Sequence, residues 1–208
     1  MVASMVARQE SHQGSGAAGE PPEFSAAVAA MREAVLRPEI FCEEMPAPQR
    51  IAPFATALSA DVTLDGDEVA TGRIVLLHDP AGNEAWDGTF RCVAYCRAEI
   101  DHALATDPML TDVGWTWLTD ALESHAAAYT ALSGTVTRVA TESYGTMAGD
   151  GGSAQIEVRA SWTPTDAPAL AAHVEAWGEL LCTAGGLEPV PDGVAMMPSR
   201  RGQRGAQL

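Results

Sequence analysis

The chain contains no lysine: its twelve basic side chains other than the five histidines are all arginine. That absence removes several chemistries at once. Schiff-base catalysis, the phosphate-binding lysine of a P-loop and a Ser-Lys hydrolase pair all need a primary amine on a side chain. Long apolar runs are also missing, and none approaches the roughly 18 residues needed to span a bilayer. Met1 to Gly19 lacks a basic start followed by an apolar block, so no secretory signal is expected and a cytoplasmic location follows. The four cysteines, Cys42, Cys92, Cys96 and Cys182, form no CxxC pair and no regular disulfide spacing, so reduced thiols are expected. There is no GxSxG, no HExxH and no paired histidine at metal spacing. Gly14 to Gly19 fits GxGxxG, but polar residues precede it and Pro21-Pro22 follows. The strand and helix that make such a loop bind a pyrophosphate are not there.

What the chain has in abundance is negative charge, at a net −16. Such a surface repels a phosphate backbone, so no nucleic-acid partner is expected; the only basic run is Arg200-Arg201 with Arg204 in the tail. With 208 residues, 47% of them apolar, the chain suits one soluble domain with a sizeable core. Residues 1–22 read as a disordered leader, 23–188 as a single domain and 189–208 as a flexible tail.

Within the domain, Phe24, Ala27, Val28, Met31 and Val35 recur at helical spacing, and Pro38 stops that helix near Arg37. An extended connection marked by Pro46 and Pro48 leads to about Pro53. Leu58, Ala60, Val62 and Leu64 alternate with polar residues, as in a strand with one buried face. A second strand, Gly72 to His78, is apolar on both faces; a polar loop Asp79 to Gly88 and a third strand Phe90 to Glu99 follow. Asp107-Pro108 opens a helix lined by Leu110, Val113, Trp117, Leu118, Ala121 and His125. Two more strands, about Thr130 to Tyr144 and one around Ile156 to Trp162, precede a last helix that carries Leu170, Val174, Trp177 and Leu181 and stops at Gly185-Gly186. The order α-β-β-β-α-β-β-α with short connections predicts an α+β two-layer sandwich. Its five-stranded sheet is largely antiparallel, with helices on one face. By topology alone this is analogous to the type III secretion chaperone-like fold, and such an analogy carries no function.

Thr56-Ala57-Leu58-Ser59-Ala60-Asp61-Val62-Thr63 echoes Thr130-Ala131-Leu132-Ser133-Gly134-Thr135-Val136-Thr137. Arg97-Ala98 corresponds to Arg159-Ala160, and Trp117 to Trp177. An internal duplication would join two half-sheets about a pseudo-twofold and make Arg97 and Arg159 equivalent on the open face.

Two places concentrate chemistry. The first is the loop after the second strand, where His78, Asp79, Asn83, Trp86 and Asp87 bring oxygen ligands, an imidazole and an indole together. It reads either as a ligand pocket held by a rigid sheet or as a turn-rich hairpin loop stiffened by Trp86. The second is the open sheet face, where Arg91, Arg97, Arg138 and Arg159 with Tyr95 would form a groove for a carboxylate-bearing partner. The competing account pairs those arginines across strands with Glu99, Glu157 and Asp61. Cys92 and Cys96 lie about 13 Å apart on one strand face, too far to share a metal or a disulfide, and read as packing residues. No metal and no cofactor is expected.

Long strings resemble an uncharacterised actinobacterial family, domain of unknown function 3000. They are Arg73-Ile74-Val75-Leu76-Leu77-His78-Asp79-Pro80 leading to Ala85-Trp86-Asp87-Gly88, Asp107-Pro108-Met109-Leu110 with Trp115 and Trp117, and Val158-Arg159-Ala160-Ser161-Trp162-Thr163. The resemblance covers roughly Pro38 to Pro189. It implies an actinobacterial cytoplasmic protein and no particular reaction. The function expected is a non-enzymatic binding or adaptor protein, the alternative being a small-molecule enzyme or ligand-binding domain that uses the loop after the second strand. The partner is a protein or a small molecule of unknown identity. Self-association into a homodimer, through edge strands or the Trp115 region, stays open.

Overall fold

The computed structural model describes residues 19–166 and 169–188; the leader to residue 18 and the tail from 189 lie outside the described residues. The first helix, α1 (Pro22–Arg32), has Pro22 at its first position and buries Phe24, Ala27 and Met31. It stops before the expected Arg37, because the Val35 N–H is taken by the Glu175 carboxylate at 2.8 Å rather than by a helical carbonyl. Val35 is accordingly exposed. A strand absent from the sequence reading follows, β1 (Ile40–Met45), making the sheet six-stranded rather than five-stranded. Six residues that include Glu43-Glu44 carry little strand signal, and β1 lies at a sheet edge with only Ile40 and Cys42 buried.

The remaining elements are β2 (Phe54–Leu64), β3 (Asp67–Asn83), β4 (Gly88–Ile100), α2 (Leu110–Ser124), β5 (Tyr129–Thr141), β6 (Ser153–Pro164) and α3 (Leu170–Ala184). Every pairing is antiparallel, and the spatial order is β1-β2-β3-β4-β6-β5. Alternate strand residues, among them Leu58, Ile74, Leu76, Cys92, Cys96, Ile156, Val158 and Trp162, share one buried cluster with residues of all three helices. The helices therefore cover one face and leave the other open, and the architecture is α+β. All four cysteines are buried and free.

From β3 onward the chain is two successive β-β-α units. β4 and β6 meet at the centre, with Arg97 opposite Glu157 and Tyr95 opposite Arg159. A half-turn about the point between these pairs exchanges Arg97 with Arg159, β4 with β6, β3 with β5 and α2 with α3. The helices are exchanged as well: α3 packs over β3 and β4, and α2 over β5 and β6. Each sets a tryptophan on a glycine of the other unit's outer strand. Trp177 Nε1 donates to the Tyr95 carbonyl beside Gly72, where an added Cβ would lie 2.6 Å from that oxygen. Trp115 lies over Gly134, 2.7 Å from where its Cβ would be. Leu110, Gly114, Leu118, Ala121 and Leu122 form the buried stripe of α2, so Val113, expected inside, is exposed.

Candidate functional site

Because β-strand side chains alternate, register alone defines what the open face presents. Cross-strand rows run Ser59–Arg73–Tyr95–Arg159–Thr135 and, one step along, Ala57–Val75–Val93–Ser161–Ser133. A third row on the other side runs Asp61–Thr71–Arg97–Glu157–Thr137. The first two rows enclose a groove of about 630 Å³ lined by Arg73, Val93, Tyr95, Ser133, Arg159 and Ser161 among others, with no carboxylate in its lining.

The third row carries the acids. Arg159 Nη2 donates to Glu157 at 2.8 Å, its guanidinium lies 5.1 Å from the centre of the Tyr95 ring, and the Tyr95 hydroxyl donates to Glu157 at 3.2 Å. The Arg159 hydrogen bond, reinforced by Tyr95, holds the Glu157 carboxyl below its usual range. Burial and the Glu157 charge push the Tyr95 phenol up, against the opposing charges of Arg159 and Arg97. Arg97 and Arg159 thus do stand together on the open face. Arg159 is partly engaged by Glu157, as the cross-strand account expects, while Arg73 and Arg97 are exposed. Arg138, expected beside them, points to the helix side and donates to the Asp107 carbonyl.

Arg91, one cross-strand row further along the same face, lies beside the groove and is only 7% exposed. Its Nη1 donates to the Ala131 carbonyl at 2.9 Å and to Thr163 Oγ1 at 3.1 Å. Its Nη2 donates to Ser161 Oγ at 2.8 Å and to Ser133 Oγ at 3.3 Å. Its four partners among the described residues are neutral oxygens, and burial pushes the guanidinium pKa down. The Thr163 hydroxyl in turn donates to the Trp86 carbonyl, which ties the β3–β4 turn to this end of the face.

The loop predicted as a pocket is smaller than expected, because β3 continues to Asn83 and leaves a turn of Glu84 to Asp87. Its polar groups are spent on backbone: Asp79 Oδ1 accepts from the Ala81 N–H and Asn83 Oδ1 from the Ala85 N–H, each at 3.0 Å. Asp87 sits at φ 56°, a turn conformation. His78 is on the opposite, helix-covered face. Its Nδ1–H donates to the Thr89 carbonyl at 3.0 Å, and its ring lies among Phe24, Phe54 and Phe90. Its Nε2 is 3.6 Å from Glu23. The sheet therefore separates His78 from Asp79, and of the loop residues Trp86 is the one joined to the arginine face. Among the described residues no group of three or more His, Cys, Asp or Glu could hold a metal ion.

Arg73, Ser133, Thr135 and Thr163 were not singled out by the sequence. Arg73 hides in a strand apolar on both faces, though its parity with Leu77 and its place opposite Tyr95 give it to the open side. Ser133 follows a register shift between Thr130 and Ser133, with Ala131 at φ 50°, so simple alternation does not place it.

The model of the family described as "Protein of unknown function (DUF3000)" matches residues 20–195. The chain belongs to this family. The match takes in every described element of the DUF3000 chain, so the arginine face and the helix-covered core both lie within the family domain. No curated protein and no solved structure matches it. No helix among the described residues is long and apolar enough to cross a membrane.

Proposed function

We propose that this DUF3000 chain is a non-enzymatic binding protein, an adaptor that takes a carboxylate-rich protein segment along its open sheet face. One observation carries the reading. In a chain with 28 acidic and 12 basic side chains, Arg73, Arg91, Arg97 and Arg159 share one face, and the groove that Arg73 and Arg159 line has no acidic residue among its described lining. The field there opposes the rest of the surface and favours a negative partner. A polyphosphate would meet the net −16 of the whole chain. The four buried free thiols support a reducing, cytoplasmic setting.

Fluorescence anisotropy with a labelled Glu/Asp-rich peptide tests it. Binding should weaken about tenfold as salt rises from about 0.05 to about 0.3 M. It should fall by a similar factor in R97E/R159E. Equal or tighter binding of a single-stranded oligonucleotide or an Arg-rich peptide would sink the reading.

The β5 edge supports a second contact, pairing with another copy of the chain. β5 has no acidic residue and only Arg138 as a charge, whereas the opposite edge β1 carries Glu43 and Glu44. Leu104, Met109, Val113, Val139, Tyr144 and Met147, six of the eleven exposed large apolar residues of the described chain, belong to β5, the start of α2 or the segments flanking them. A strand without acidic residues, bordered by apolar side chains, is where two strongly acidic copies can meet.

A further inference from the structure

We propose that Ser133 and Ser161, both hydrogen-bonded by Arg91 from the adjacent row, with Arg73 and Arg159 lining the same groove, form a seat for a single oxyanion, a carboxylate or a phosphate. This rests on the open face being an anion-recognising surface and specifies where the first anion sits. The starting point is charge. Arg91 is a nearly buried cation whose hydrogen-bond partners among the described residues are all neutral. Removing a guanidinium from water without a counter-charge is costly, and chains normally pair such a group. An anion in the groove beside it, at Ser133 and Ser161, supplies the missing charge.

The hydrogen-bond pattern then selects which groups face that anion. Of the four acceptors on Arg91, the Ala131 carbonyl has no proton, and the Thr163 hydroxyl gives its own to the Trp86 carbonyl. Ser133 and Ser161 remain. Each accepts from Arg91 Nη2, so the lone pair facing the guanidinium is occupied and the hydroxyl proton turns away from it. The two oxygens are 3.5 Å apart, too long to hold either proton in a strong mutual hydrogen bond. Both hydroxyls line the groove, and at that spacing both can donate to one carboxylate or phosphate. Arg73, exposed on β3, and Arg159 on β6 line the same groove and add charge from above. Val93 and the Tyr95 ring line it too, giving the body of a ligand an apolar surface.

Glutarate and inorganic phosphate are the probes, titrated into the full chain by calorimetry and by amide NMR. At least one should bind saturably and move the Ser133 and Ser161 amide signals ahead of those on the helix-covered side. S133A/S161A should weaken that binding about tenfold or more, the loss expected for hydrogen bonds to a charged group. R73A removes an exposed side chain and so leaves the fold intact; it should weaken binding by a smaller factor. R32A, on α1 and away from the open face, should leave it nearly unchanged. Saturation by glutarate alone marks a carboxylate seat, and by phosphate alone a phosphate seat; either supports the proposal. If neither probe shifts Ser133 and Ser161 in the wild-type chain, or if R73A and S133A/S161A both bind as wild type does, the seat is overturned. An acidic peptide that binds while both small anions fail would overturn the seat and leave the face. Small anions that bind at Ser133 and Ser161 while the peptide fails would keep the seat and remove the adaptor.

Discussion

His173 is fully buried on α3 and accepts the Trp162 indole N–H at Nδ1 over 3.0 Å, so it is the neutral Nε2–H tautomer. Charging Nδ1 would break that bond inside the core, and burial pushes the pKa from 6.5 down to about 4, only partly offset by Asp166. The unfolded chain therefore takes up a proton between pH 6.5 and 4 that the folded chain refuses. Stability is highest above the unfolded value and falls as pH drops through this window, by on the order of 3 kcal/mol in total. Urea unfolding between pH 7 and 5, above the carboxylate range, should show the slope. His173→Asn, which keeps an acceptor for Trp162, should flatten it, and an unchanged slope would refute the assignment. At this scale the sequence was a fair guide to what is inert. The cysteines read as packing residues are buried, with the Cys92, Cys96 and Cys182 thiols pushed up to about 12 by burial. It could not show that His78 and Asp79, adjacent in the chain, point to opposite faces of one strand once that strand runs past both of them.

Elements were legible where a periodic pattern had one buried face. β2, β6, α2 and α3 all announce themselves by spacing, but α2 starts later than Asp107-Pro108 suggests: its N-cap is Met109, without a side-chain cap, and Asp107 Oδ1 accepts the Met109 N–H at 2.8 Å in the turn before it. β1 was not legible, because an edge strand with two glutamates gains its pairing only from β2. The end of α1 was not legible either, since the group that stops it, Glu175, lies far along the chain. Gly72 shows how tightly the elements then fit. A methyl group there would meet the Tyr95 carbonyl and Leu181 Cδ2 at 2.6 Å and Trp177 Nε1 at 3.1 Å. The strand pairing fixes the first contact, so the change cannot be absorbed by a side chain turning aside. Gly72→Ala should cost about 1–3 kcal/mol through overpacking and displacement of α3. A chemical melt of this variant at the wild-type midpoint would contradict the packing described.

For the whole molecule, the echoed strings pointed to a real regularity and misassigned its parts. They lie in β2 and β5, yet the half-turn that exchanges Arg97 with Arg159 brings β5 onto β3, with Thr135 opposite Arg159 as Thr71 is opposite Arg97. The repeat is β3-β4-α2 with β5-β6-α3, and α1, β1 and β2 are an addition on the β3 side. That addition makes the two sheet edges unequal. β3 is covered by β2, beyond which lies the short, acidic β1, while its counterpart β5, 13 residues long, is an edge with no further strand among the described residues. An exposed strand of that length, without acid or proline, is a template for pairing unless it is used. Antiparallel pairing of two β5 strands about a two-fold would satisfy both edges and shelter the apolar margin around Met109 and Val113. It would also join the two open faces into one surface, with an Arg91 on each side of the seam. Light scattering coupled to gel filtration should then give twice the 21.8 kDa chain mass for the wild type. Thr137→Lys with Val139→Lys places like charges across the seam and should return a folded monomer. A wild type that stays monomeric at concentrations well above micromolar, with an unchanged profile in the double variant, would show that the β5 edge is not self-paired in solution.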